Sequence, residues 1–151
     1  MSAYRFVGYK LAPVTSEEEI AAVEQAMDQD VKFGPVVTHL QTALARLADR
    51  PSPDNRNSIK ESISAVEAAC QIITGDPNAT LGEALKKIAV HRALGKGFSA
   101  IYGYTSDADG IRHALSDERS VDADDAKFFL VACSAFINYL IARSSRDATK
   151  Q

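Results

Sequence analysis

From Asp122 to Ser144 the chain spreads Phe128, Phe129, Leu130, Cys133, Phe136, Ile137, Leu140 and Ile141 around most of the circumference of one helix. A helix that is apolar nearly all round is normally the central, buried member of a bundle, so other helices must surround it. Asp122 is placed to cap its first turn, and a polar tail follows Ser144. Lys127, Ser134 and Asn138 share one narrow stripe of this helix, at spacings of seven and four. Polar groups on a buried helix need partners, because each one left unpaired costs about 1–3 kcal/mol.

Caps and breakers delimit the rest of the chain. Tyr4 to Val14 alternates loosely and closes at Pro13, which reads as an extended arm or short strand packed on the body. Thr15 with Glu18, or Ser16 with Glu19, has capping-box spacing and opens a first helix to about Asp28. A second helix runs from about Pro35 to Asp49, with Val36, Leu40, Ala43, Leu44 and Leu47 as its buried stripe. Arg50-Pro51-Ser52-Pro53 breaks it. The third helix puts Ile59, Ile63, Val66, Cys70 and Ile73 on one face and ends at Gly75. Thr80 with Glu83 starts a fourth, over about Leu81 to Val90; a fifth, near Arg92 to Tyr104, is weakened by Gly95, Gly97 and Gly103. A polar segment from Thr105 to Ser120 leads to the last helix. With no strand–helix alternation, repeat or linker, the chain reads as one all-α bundle of five to six helices: arm 1–14, bundle 15–144, tail 145–151.

At 151 residues the chain is long enough to bury a core without disulfides or metal. Its net charge of −3 excludes broad electrostatic attraction to DNA or to an anionic membrane, so an RNA contact has to come from a local basic patch. Cys70 and Cys133 lie in apolar helical runs and read as buried free thiols of a reducing compartment. The first thirty residues hold no apolar leader, and no apolar run reaches the ~18 residues of a membrane span. A cytoplasmic protein is expected.

Two segments could carry chemistry. On the third helix Arg56, Asn57 and Glu61 put a cation, an amide and a carboxylate within two turns, near Lys60, Ser64 and Glu67. They are either a solvated helix face with ordinary ion pairs or the wall of a phosphate-holding cleft. The loop Tyr104-Thr-Ser-Asp-Ala-Asp-Gly-Ile-Arg-His gathers Asp107, Asp109, Arg112 and His113, as ligand groups or as turn and cap formers. A calcium loop would need an oxygen ligand and a glutamate where Ile111 and Glu118 stand instead. No Cys/His spacing fits zinc and no glycine loop fits phosphate, so neither metal nor cofactor is expected. His39 and His91 read as packed or surface histidines.

Taken together, Arg56-Asn-Ser-Ile-Lys-Glu-Ser-Ile-Ser-Ala-Val-Glu67, the Tyr102-Gly-Tyr-Thr-Ser-Asp-Ala-Asp-Gly-Ile-Arg-His113 segment and Cys133-Ser-Ala-Phe-Ile-Asn-Tyr-Leu140 resemble the AbiJ-type N-terminal domain of bacterial abortive-infection proteins. That domain is related to the HEPN helical bundles, and the resemblance runs from about Tyr4 to Ala142. It implies an RNA- or nucleotide-directed role in antiviral defence, often as a homodimer. Active ribonucleases of the HEPN group carry arginine, a polar residue, and a histidine about five positions beyond the arginine. Arg56 and Asn57 match the opening, and Glu61 stands in place of the histidine. The resemblance therefore implies a binding or sensing module. Its alternatives are a ribonuclease with Arg56, Glu61 and His113 as catalytic groups, or a structural oligomerisation bundle. Asn57, Asp107, Asp109, Arg112, Lys127 and Asn138 are the ligand-binding candidates.

Overall fold

The computed structural model describes residues 5–12, 16–106 and 121–150, and it is an all-α bundle with a small N-terminal hairpin. The helices are α1 (Glu17–Met27), α2 (Gly34–Ala48), α3 (Asn55–Thr74), α4 (Leu81–Lys87), α5 (Arg92–Ser106) and α6 (Ala123–Ala148), with a single 3-10 turn at Val31–Phe33 before α2.

The arm is more ordered than its alternation predicts. Strands β1 (Arg5–Val7) and β2 (Lys10–Ala12) pair antiparallel, Phe6 opposite Leu11, around Gly8 and Tyr9. Gly8 has φ +56°, which a first-position glycine supplies without steric cost in a two-residue hairpin turn. Its N–H donates to Glu24 Oε1 at 2.8 Å, while Val7 and Ala12 are fully buried. The hairpin is thereby tied to α1.

Local chemistry explains where the helices begin. Ser16 accepts from the Glu19 N–H, and Thr80–Glu83 and Asp122–Asp125 both form complete capping boxes. Asp54 is the cap of α3, accepting from the Asn57 N–H, and Pro53 precedes the helix. Gly75 at φ +69° ends α3 in the left-handed conformation that glycine adopts most easily.

Two ends differ from expectation. Helix α4 stops at Lys87 because Ala89 has φ +54°, turning the chain into α5. Helix α6 continues through the polar tail to Ala148, where Ser144, Ser145 and Thr149 donate their hydroxyls back to helix carbonyls at 2.9–3.0 Å.

Helices α2 and α3 form an antiparallel hairpin. Asp54 N–H donates to the Arg46 carbonyl and, further in, the Ser58 hydroxyl donates to the Ala43 carbonyl at 2.8 Å. Helices α3 and α6 run parallel instead. Asn55 Nδ2 donates to the Val121 carbonyl at one end, and Ile73, Thr74, Ser144 and Asp147 line a shared cavity at the other. Leu40, Leu44, Leu130, Ile137 and Leu140 are fully buried between these three helices. By length and composition α6 is apolar enough to cross a membrane; 44% of its most apolar window is buried inside the bundle, and Phe128 on it is 54% exposed.

Candidate functional site

The polar start of α3 is held by its own cap. Asp54 accepts from the Asn57 N–H at 3.2 Å and from Asn57 Nδ2 at 2.7 Å. Those bonds, the side-chain one first, hold the Asp54 carboxyl below the usual carboxylate range. Asn57, a candidate ligand group, is therefore already engaged. Arg56 is exposed beside Asp54, with Lys60 exposed one turn further along.

Glu61 faces α2. Its Oε2 lies 2.6 Å from His39 Nδ1, both side chains about one-third exposed. A carboxylate can only accept, so when Glu61 is ionised Nδ1 carries the proton and Nε2 is left for another partner. Glu61 thus finds its partner on the neighbouring helix, α2. Arg56 does not join the pair in projection: five residues correspond to about 140° around a helix of 3.6 residues per turn. Asn57, Lys60 and Ser64 occupy the arc between them.

Further along α3, Tyr102 of α5 donates its hydroxyl to Glu67 Oε1. Burial first, then that bond and the Glu67 charge, push the phenol up to about 12. On α6, Asn138 Nδ2 donates to the Ala22 carbonyl of α1 at 2.9 Å, while its Oδ1 and the fully buried Ser134 Oγ have no partner among the described residues. Lys127 is half-buried near the start of α6. Asp107, Asp109, Arg112 and His113 lie outside the described residues.

Side-by-side packing of the third and last helices does not unite their polar groups. Asn57 stands at the start of α3, level with the start of α6, and Asn138 lies sixteen residues beyond Asp122. At 1.5 Å per residue the two are separated by about 24 Å along the bundle, and Asn138 is turned toward α1.

What α3 can offer is therefore a cationic edge, Arg56 and Lys60, and a histidine–carboxylate pair on its other side. The pair joins an imidazole to a carboxylate, groups that general acid–base chemistry draws on. No group of three or more His, Cys, Asp or Glu able to hold a metal occurs among the described residues. Burial pushes the Cys70 and Cys133 thiols up to about 12, which removes them as nucleophiles. Two polar contacts escaped sequence reasoning, His39–Glu61 and Tyr102–Glu67. A signal for the first existed, since His39 sits three after Val36 and four before Ala43, at the border of the buried α2 stripe.

Comparison with known proteins finds no matching family model, no matching curated protein and no matching solved structure.

Proposed function

We propose that the chain is a HEPN-like binding or sensing module of a bacterial abortive-infection system, of the AbiJ type. On this reading it is cytoplasmic and contacts RNA, a nucleotide or a partner protein through the Arg56 face. The supporting observation is the state of the three groups on α3. Asn57 is spent on the cap and Glu61 on His39, while Arg56 stays exposed with Lys60 beside it. Such a surface can hold a phosphate without supplying a nucleophile. The test is fluorescence anisotropy with a labelled single-stranded RNA oligonucleotide. Arg56→Ala is expected to weaken binding about tenfold, the size of a charge-assisted hydrogen bond. RNA affinity unchanged in both Arg56→Ala and Lys60→Ala would remove the face from consideration. Light scattering on the same samples reads the homodimer that the family resemblance implies.

One contact favours a second reading, a ribonuclease with a degenerate Arg-Asn-x3-Glu site. His39 Nδ1 is hydrogen-bonded to Glu61, so His39 rather than His113 would supply acid–base chemistry. RNA degradation that persists in both His39→Ala and Arg56→Ala would exclude it.

A further inference from the structure

The joint between α4 and α5 opens a groove of about 540 Å³, lined by Leu85, Val90, Lys86, Arg92, Lys96 and Ser99, with Gly82 and Gly95 at its sides. Leu85 is buried and Val90 half-buried, giving the groove an apolar floor. Lys86, Arg92 and Lys96 are exposed at the rim and make no salt bridge among the described residues, though Lys86 acts on the charge of Glu83, whose carboxylate is held by Thr80. No aspartate or glutamate occurs from Ala84 to Ser106, although the whole chain carries net charge −3.

Helix α5 is built unlike its neighbours. None of its described side chains is fully buried, and Leu94 is 41% exposed. Its first turn holds Arg92 and no acid, where the helix dipole favours an anion. Internal packing does not require its glycines: a Cβ at Gly97 would meet nothing within 4 Å, and one at Gly95 would touch Leu85 Cδ1 at an ordinary 3.9 Å. Without side chains, Gly82 and Gly95 leave the walls of the groove open.

We infer that this groove is a binding site for a free amphipathic anion, a small molecule with an apolar body and one carboxylate or phosphate head. The volume is in the range of small-molecule sites, and the lining sets an apolar floor beside cationic rim groups. Leu85 and Val90 take the apolar body, and Lys86, Arg92 and Lys96 take the head. Neither element belongs to the Arg56 face, so this site stands or falls separately from the reading above.

The experiment is an amide NMR titration of the full 151-residue chain with octanoate, and separately with octanol, octylammonium and inorganic phosphate. Octanoate is expected to shift amides of 82–99 saturably and to bind about fifteenfold more tightly than hexanoate, since each of its two extra buried CH₂ groups is worth roughly fourfold. Octanol should bind more weakly at the same place; octylammonium and phosphate should not bind there. The double variant Lys86→Glu/Lys96→Glu should lose at least tenfold in octanoate affinity and keep that for octanol. Gly95→Leu, which plugs the groove from a helical position, should abolish both. Octanoate shifts scattered over the surface, or unaffected by Gly95→Leu, would overturn the proposal. So would phosphate binding as tightly as octanoate, or an acidic peptide occupying 82–99 where octanoate does not. Co-sedimentation with phosphatidylglycerol vesicles, lost in the double lysine variant, would assign the groove to a membrane surface instead.

Discussion

Two serines of this bundle have the same burial and opposite hydrogen-bond status, so one substitution made at both should move stability in opposite directions. Ser58 and Ser134 are each 0% exposed, the first at the end of the opening turn of α3 and the second in the middle of α6. Ser58 Oγ donates across to the Ala43 carbonyl at 2.8 Å, whereas Ser134 Oγ meets no partner among the described residues. Ser58→Ala removes a bond worth about 1 kcal/mol and recovers at most about 0.5 kcal/mol of helix propensity. The net effect is a loss of about 0.5–1 kcal/mol. Ser134→Ala gains the same propensity and also relieves the burial of an unpaired hydroxyl, about 1–3 kcal/mol. A net gain of about 2 kcal/mol follows. For a domain of this length each kcal/mol moves Tm by roughly 2–4 °C. Calorimetry should then show Ser134→Ala about 4–8 °C above the parent and Ser58→Ala about 1–4 °C below it. Urea titration should show unchanged slopes, because neither variant alters the surface exposed on unfolding. Equal destabilisation by both would refute the reasoning, since it would mean that Ser134 is bonded in solution as Ser58 is.

Three other outcomes are expected. Ala89 adopts φ +54°, which costs an alanine about 1–2 kcal/mol, so Ala89→Gly should raise stability by roughly 0.5–1 kcal/mol after the entropic cost of glycine; a loss of stability in urea titration would argue against that backbone geometry. Both thiols are buried and pushed up to about 12, so Ellman's reagent should react with neither in the native protein and with both after unfolding. Asp54 is held below its usual range, so its contribution is present above the ordinary carboxylate pKa and lost as pH falls through the lower folded value. Asp54→Asn keeps an acceptor that does not titrate and should flatten that acid limb of the stability–pH profile.

Much of the architecture was legible because it is written in local chemistry. The capping boxes at Thr80 and Asp122, the glycine after Thr74 and the apolar girdle of α6 each act within a few residues, so their spacing in the sequence is their spacing in space. What escaped was tertiary or ran against the binary pattern. Ser58 and Ser62 are polar by residue type, yet both are fully buried with hydroxyls donating to carbonyls. Residues 145–148 look like a tail because periodicity counts apolar residues, yet the backbone stays helical to Ala148, with the Ser145 hydroxyl turned back onto the Ile141 carbonyl. For the site, Arg56, Asn57 and Glu61 were placed on the right helix, but the partners of the last two could not be read from α3 alone. Glu61 needed the α2–α3 hairpin register to find His39.

Charge shows the same gap between an average and an arrangement. A net −3 argues against long-range attraction to polyanions, and that argument holds only where charges are mixed. Here they are segregated. Residues 11–31 carry Glu17, Glu18, Glu19, Glu24, Asp28 and Asp30 and no lysine or arginine, while 84–106 carry Lys86, Lys87, Arg92 and Lys96 and no acid. Helix α1 packs on the hairpin, α2 and α6 and makes no packing contact with α4 or α5, so the two regions belong to different parts of the surface. Screening at physiological salt acts over about 8 Å, which leaves each region to present its own sign. An anion at the α4–α5 groove should therefore respond to the three rim cations and not to the whole-molecule charge. Raising the salt concentration should weaken octanoate there steadily while leaving octanol nearly unchanged. Equal salt responses of the two ligands would mean that the apolar floor alone does the binding.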